Sequence, residues 1–233
     1  MTLHCNIPKN NFHLLSVFGS SENFYPRRIY CVGANYLKHV SEMGLPGREK
    51  PFYFMKPSDS VIQTSREKII NLPYPTETND FHHEVELVIV IGKEGRNITV
   101  ESAKEFIFGT AVGLDMTKRD LQKKLREKKQ PWELSKAFDF SAPIGLLHPF
   151  DQKKDLLDLE ISLELNGVIK QKSDTSKMIF SVDQIISDLS KYSKLYPGDL
   201  LFTGTPEGVG PVERGDRIFA EIKGLSPMNI KIV

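Results

Sequence analysis

Apolar and polar positions change period often along this chain, in short blocks rather than long ones. Leu14, Leu15, Val17 and Phe18 scatter ahead of a polar Gly-Ser-Ser-Glu-Asn stretch, which predicts a small N-terminal strand region. It leads into a buried strand over residues 27–32, where Ile29, Tyr30, Cys31 and Val32 run together and Gly33 ends the run. Tyr36, Val40 and Met43 stand at i, i+4 and i+7, which predicts a helix over residues 36–43 closed by Gly44. Short strands are expected at 52–55 and 61–62 around a Lys-Pro-Ser turn. Residues 84–91 give the strongest strand pattern, rich in β-branched side chains and stopped by Gly92. A short helix at 100–106, a strand at 108–114 and a charged helix at 117–128 follow.

The strand expected at 159–165 alternates well and turns at Asn166-Gly167, a strong hairpin signal. An amphipathic helix at 182–190, strands at 200–203 and 218–222, and a Gly215-Asp216 turn complete the pattern. Many short strands with a few helices, not alternating one to one, predict an α+β fold rather than a doubly wound sheet. Residues 1–25 carry no motif and are read as an N-terminal extension; 26–233 are read as a single domain.

Composition narrows the classes. The 233 residues hold 31 Lys plus Arg against 30 Asp plus Glu, a formal charge of +1, with no basic stripe. A nucleic-acid partner is therefore not expected. The longest apolar run, Leu87–Ile91, is far short of a membrane helix, so no membrane partner is expected. Cys5 and Cys31 form no C-x-x-C pair, and residues 1–11 show no secretory pattern, so a reducing, cytoplasmic setting is the expectation.

Four constellations carry candidate chemistry. Glu84 and Glu86 sit two apart at the head of an apolar strand, so they share a face. They are either surface acids at a strand edge or ligands of a hard divalent cation, because burying two carboxylates together needs a counter-charge. His82 and His83 before them read as loop residues, with roles as ligands or as donors to the acids also open. Asp115 ends an apolar strand, as a third ligand or as the cap of the next helix. His39 and Glu42, at i and i+3, are either a surface pair or an imidazole held by a carboxylate to activate water. The Gly-rich segment 203–210 reads as a tight turn or as an anion cradle; it is neither a Walker A loop nor a dinucleotide fingerprint. Lys136 either covers apolar surface with its stem or keeps its charge beside acids, where it could stabilise an oxyanion.

Taken in order, these segments resemble the fumarylacetoacetate hydrolase family. The resemblance rests on Gly33-x-Asn35-Tyr36-x-x-His39-x-x-Glu42, Lys56-Pro57-Ser58, His83-Glu84-x-Glu86-Leu87, Gly113-Leu114-Asp115-Met116-Thr117-x-Arg119-Asp120-Leu121-Gln122, Pro131-Trp132-Glu133-x-x-Lys136-Ala137-Phe138-Asp139 and Thr203-Gly204-Thr205-Pro206-x-Gly208-Val209-Gly210. It spans about residues 26–230 and looks closest to the fumarylpyruvate hydrolases and other acylpyruvases.

The resemblance implies a mixed β-rich roll with a few short helices, usually a homodimer. It implies Glu84, Glu86 and Asp115 as ligands of Mg²⁺, with Mn²⁺ or Ca²⁺ as alternatives. It also implies His39 and Glu42 as the water-activating dyad, Lys136 beside the developing charge, and Lys56, Arg119, Gln122 and Thr205 as substrate contacts. The implied reaction cleaves the carbon–carbon bond of a 2,4-dioxo acid, giving pyruvate and a carboxylic acid. Ala34 departs from the arginine that close acylpyruvases often carry there, which leaves the acyl group open. The alternatives are an oxaloacetate decarboxylase or tautomerase, a catechol-pathway isomerase or decarboxylase, and a non-catalytic metal- or ligand-binding protein of the same fold.

Overall fold

The computed structural model describes residues 14–44, 49–64 and 68–233. Cys5, residues 1–13 of the N-terminal extension and the absent secretory pattern therefore lie outside the described residues. The fold is α+β, a curled, mixed β-rich roll. Two larger sheets pack together with helices at their margins.

The eight-stranded sheet runs in the order Phe52–Lys56, Ile29–Gly33, Leu200–Phe202, Val85–Ile91, Ile107–Leu114, Ala142–Ile144, Val61–Gln63, with His148–Pro149 pairing Ile107–Leu114 off this path. The five-stranded sheet runs Val168–Asp174, Glu160–Leu165, Arg217–Ile222, Met228–Ile232, Ile70–Leu72. Pairing is antiparallel except Leu200–Phe202 with Ile29–Gly33, Ala142–Ile144 with Val61–Gln63, and Met228–Ile232 with Ile70–Leu72.

Val85–Ile91 is the central strand, and its alternation sorts two cores. Val85, Leu87, Ile89 and Ile91 enter the larger core, with the five-stranded sheet and the Val182–Tyr192 helix. Val88 and Val90 enter a second core that contains Leu15 and Val17 of the N-terminal segment. Both faces of the strand are covered, so the sequence reads as a continuous apolar run. Glu86 has the parity of Val88, which makes a carboxylate there expensive unless it is compensated.

Several expected elements hold with shifted ends. The Asn166-Gly167 hairpin forms with φ of 54° and 78°, both positive as a type I′ turn requires. The helix at 182–190 runs Val182–Tyr192 and starts in a full Ser181/Gln184 capping box. The helix at 36–43 is Leu37–Glu42, followed by Gly44 at φ 58°. Three expectations are corrected. The 100–106 helix is only a 3-10 turn over Ala103–Phe106. The charged helix begins at Arg119, because Thr117–Lys118 pair antiparallel with Phe81–His83. That pairing also puts His82 and His83 on a strand rather than in a loop.

Candidate metal centre and active site

Backbone register assembles the acids. Val85 pairs with Leu114, so Glu84 and Asp115 come out side by side at the same end of adjacent strands. The Asp115 amide donates to the Glu84 carbonyl at 2.9 Å. Glu86 stands opposite Gly113, where no side chain competes for the space. One oxygen from each of Glu84, Glu86 and Asp115 falls within 4.8 Å of the others, and all three residues are buried. The surface-edge alternative for the glutamates is thereby overturned. So is the cap alternative for Asp115, since Lys118 occupies the N-cap of the following helix.

Three cations surround the acids. Lys136 Nζ donates to Glu84 Oε2 at 2.8 Å, Asp115 Oδ2 at 2.6 Å and Thr117 Oγ1 at 2.6 Å. Arg119 pairs with the other oxygen of Glu84 and donates to Gln122 Oε1 at 2.5 Å. Lys56 Nζ stands 2.8 Å from Asp115 Oδ1, outside hydrogen-bond geometry, and donates to the carbonyls of Lys136 and Met116. Burial opposes ionisation of Glu84, yet Lys136 and Arg119 overcome it and hold that carboxyl well below the usual range. Glu86 is pushed well above it, first by burial and then by Asp115 and Glu84. Burial likewise opposes the charge on Lys136, but Asp115 and Glu84 keep it above the ordinary lysine value.

The donor set fits a divalent cation. It consists of three converging carboxylates and no sulfur, the choice of a hard ion. Among the described residues Glu86 receives only the Gly204 amide, at 2.7 Å, and Asp115 Oδ1 has no hydrogen-bond donor. A cation among these oxygens would relieve both.

His39 is buried on the Leu37–Glu42 helix, and its Nδ1 lies 3.0 Å from Glu42 Oε2. The Gly208 amide donates to Glu42 Oε1 at 3.1 Å. The Gly-rich segment thus aims its amides at the protein's own carboxylates, Gly204 at Glu86 and Gly208 at Glu42. Glycine is demanded at both places. Gly204 has φ 99° and a Cβ would meet Asn35 Cβ at 2.6 Å; Gly208 has φ 90° and a Cβ would meet the Lys170 carbonyl at 2.0 Å.

A chamber of about 30 Å³, room for an ion or a water, is walled by His39, Glu84, Glu86, Asp115, Arg119, Gln122, Lys136 and Thr205, among others. Ala34 lines it at φ 58°. Glu42 lines the adjoining cleft instead. Lys56 lies behind Asp115 and reaches neither space. Thr205 Oγ1 donates to the Val85 carbonyl at 2.8 Å and accepts from Gln171.

Gln171 was not legible in the sequence. It is the one buried residue of the otherwise exposed or half-buried strand Val168–Asp174. Its Oε1 accepts from His83 Nδ1 at 3.0 Å and the Val85 amide at 3.1 Å; its Nε2 donates to Thr205 Oγ1 at 2.8 Å and the Pro206 carbonyl at 2.9 Å. Burial pushes His83 down to about 4, so its ring is neutral at pH 7.

Fold and site together define a member of an enzyme family with a candidate metal centre. Residues 28–233 match the family described as fumarylacetoacetate (FAA) hydrolase C-terminal, and the chain belongs to it. The crystal structure of fumarylpyruvate hydrolase from Pseudomonas aeruginosa, in complex with Mn²⁺ and pyruvate, is 47% identical, with a TM-score of 0.94 over 98% of this chain and 99% of that one. The mitochondrial oxaloacetate decarboxylase of Dictyostelium discoideum is 44% identical over 85% of this chain and 90% of its own. The mitochondrial oxaloacetate tautomerase FAHD1 of Homo sapiens is 40% identical over 88% and 91%. No helix among the described residues is long and apolar enough to cross a membrane.

Proposed function

We propose that this protein is a divalent-metal-dependent hydrolase that cleaves fumarylpyruvate or a related acylpyruvate to pyruvate and a carboxylic acid. The observation that carries this reading is His39 at the wall of the three-carboxylate chamber, held from the adjoining cleft by Glu42, since a purely structural metal site needs no base beside it. Likeness to a fumarylpyruvate hydrolase that binds Mn²⁺ and pyruvate supports it. The catalytic unit is assigned to residues 26–233.

Glu84, Glu86 and Asp115 would hold the cation, Mg²⁺ in this reading, with Mn²⁺ or Ca²⁺ able to replace it. When bound, the ion supplies Lewis-acid polarisation of the 2-oxo acid end. Glu42 orients His39 through Nδ1, which leaves Nε2 to take a proton from water. The hydroxide adds to the 4-oxo carbon, where Lys136 is assigned to the developing negative charge. The bond from that carbon to C3 then breaks, and the proton returns to C3 to complete pyruvate. Arg119, Gln122 and Thr205 line the chamber and are assigned to substrate contact, whereas Lys56, expected there too, sits behind Asp115 and supports that acid instead.

Oxaloacetate tautomerisation or decarboxylation is the second reading. It is favoured by the two mitochondrial relatives at 44% and 40% identity, and it needs no attacking water. The hydrolase reading is tested by pyruvate release from fumarylpyruvate and acetylpyruvate with Mg²⁺ or Mn²⁺ present. His39→Ala is expected to lose about 10²- to 10⁴-fold in kcat, and Glu84→Ala to lose the metal-dependent activity. Full activity in both variants would overturn the assignment.

A further inference from the structure

The small chamber opens outward into a cleft of about 420 Å³. Met43, Arg119, Gln122 and Arg126 line both spaces, and Glu42, Lys123 and Glu127 complete the outer one. Arg119, Gln122 and Arg126 stand at i, i+3 and i+7 of the Arg119–Glu127 helix, so one helix face lines the route from the carboxylates outward.

The charged groups on this route differ in their commitments. Arg119 is paired with Glu84, and both oxygens of Glu42 are held, by His39 and by the Gly208 amide. Arg126 is half-buried, and no carboxylate among the described residues pairs with it. Lys123 and Glu127 are exposed at the rim. A partly desolvated guanidinium on a cavity wall favours an anion, and its planar fork suits a carboxylate. From Arg119 to Arg126 the helix advances about 10 Å. Along a route walled by this helix face, that spacing suits the far end of an extended dicarboxylic acid.

Resting on the hydrolase reading above, we propose that Arg126 binds the distal carboxylate of a dicarboxylic oxo acid. The cleft would then select acyl chains that end in a carboxylate over neutral ones. Ala34 fits this picture: the cation that meets the acyl end comes from the helix wall rather than from position 34.

The test compares the metal-loaded wild type with Arg126→Met and Arg126→Lys. Arg126→Met should raise KM for fumarylpyruvate about 10- to 100-fold and leave acetylpyruvate, which has no distal carboxylate, within about twofold; Arg126→Lys should fall between. Equal effects on fumarylpyruvate and acetylpyruvate, or none on either, would overturn the proposal. A binding arm separates this outcome from failure of the hydrolase reading itself. Calorimetric titration with 2-oxosuberate and with 2-oxooctanoate, chains of equal length with and without the far carboxylate, decides the proposal even if no dioxo acid is cleaved. Tighter wild-type binding of the diacid, lost in Arg126→Met, supports it. Equal wild-type affinities contradict it.

Discussion

Gln171 joins groups that would otherwise move independently. Its two acceptor and two donor positions are all filled, linking His83 and the Val85 amide to Thr205 and Pro206. Val85 lies between Glu84 and Glu86, so Gln171 fixes the backbone from which both carboxylates project. Groups that orient metal ligands from behind typically contribute 10- to 100-fold to metal affinity or activity. Gln171→Leu should therefore weaken Mn²⁺ binding about 10- to 100-fold, measured by calorimetry on protein that remains folded by circular dichroism. Unchanged Mn²⁺ affinity would show that the four hydrogen bonds serve the fold alone. Nothing in Val168–Asp174 announces this role, because a glutamine flanked by Lys170, Lys172, Ser173 and Asp174 has the pattern of a solvated edge strand, and the apolar Val168 and Ile169 are themselves exposed. Its burial is set by the Thr203–Gly210 segment, which the chain supplies more than thirty residues later.

At the scale of elements, the segment after Leu200–Phe202 and the short Leu37–Glu42 helix act as one unit. Asn35 ties them: its Nδ2 donates to the Thr203 carbonyl at 2.8 Å and to the Phe180 carbonyl at 3.0 Å, while its Oδ1 accepts from the Phe180 amide at 2.8 Å. Gly208 closes the connection through Glu42. An added methyl there meets backbone, not a flexible side chain, and the left-handed φ penalises any other residue. Gly208→Ala should lower kcat by about tenfold or more, in the range of lost base positioning, with Mn²⁺ affinity held within about twofold, because Glu86 keeps its Gly204 amide. A kcat equal to wild type would mean that Glu42 holds His39 without the loop. This segment has turn chemistry in the sequence, and that much is legible. Its targets are not, because Glu42 lies 166 positions away and no local pattern encodes so distant a partner.

For the whole molecule, legibility follows contact range. Strands with β-branched runs, the Asn166-Gly167 hairpin and the 182–192 helix were readable because their signals are local. Phe81–His83, Ala142–Ile144 and Met228–Ile232 carry no such local signal, and two of them are only three residues long; sheet partners rather than their own composition define such strands. The acids were readable as candidates, but the charge count of 31 against 30 concealed how they are used. Three carboxylates are taken into the interior together with Lys56, Lys136 and Arg119, a near-neutral cluster whose balance a bound divalent cation tips positive. Under both proposed readings, that shift would prepare the chamber for an anionic oxo acid. What separates them is the attacking water.

The direct measurement is kcat/KM of the Mg²⁺- or Mn²⁺-loaded protein for fumarylpyruvate, acetylpyruvate and oxaloacetate side by side, with pyruvate and the released acid both quantified. The hydrolase account predicts one equivalent each of pyruvate and fumarate from fumarylpyruvate, at a kcat/KM at least about tenfold above that for oxaloacetate, a difference of about 1.4 kcal/mol in transition-state stabilisation. Rapid oxaloacetate turnover with no cleavage of either dioxo acid would contradict it and establish the tautomerase or decarboxylase reading in its place.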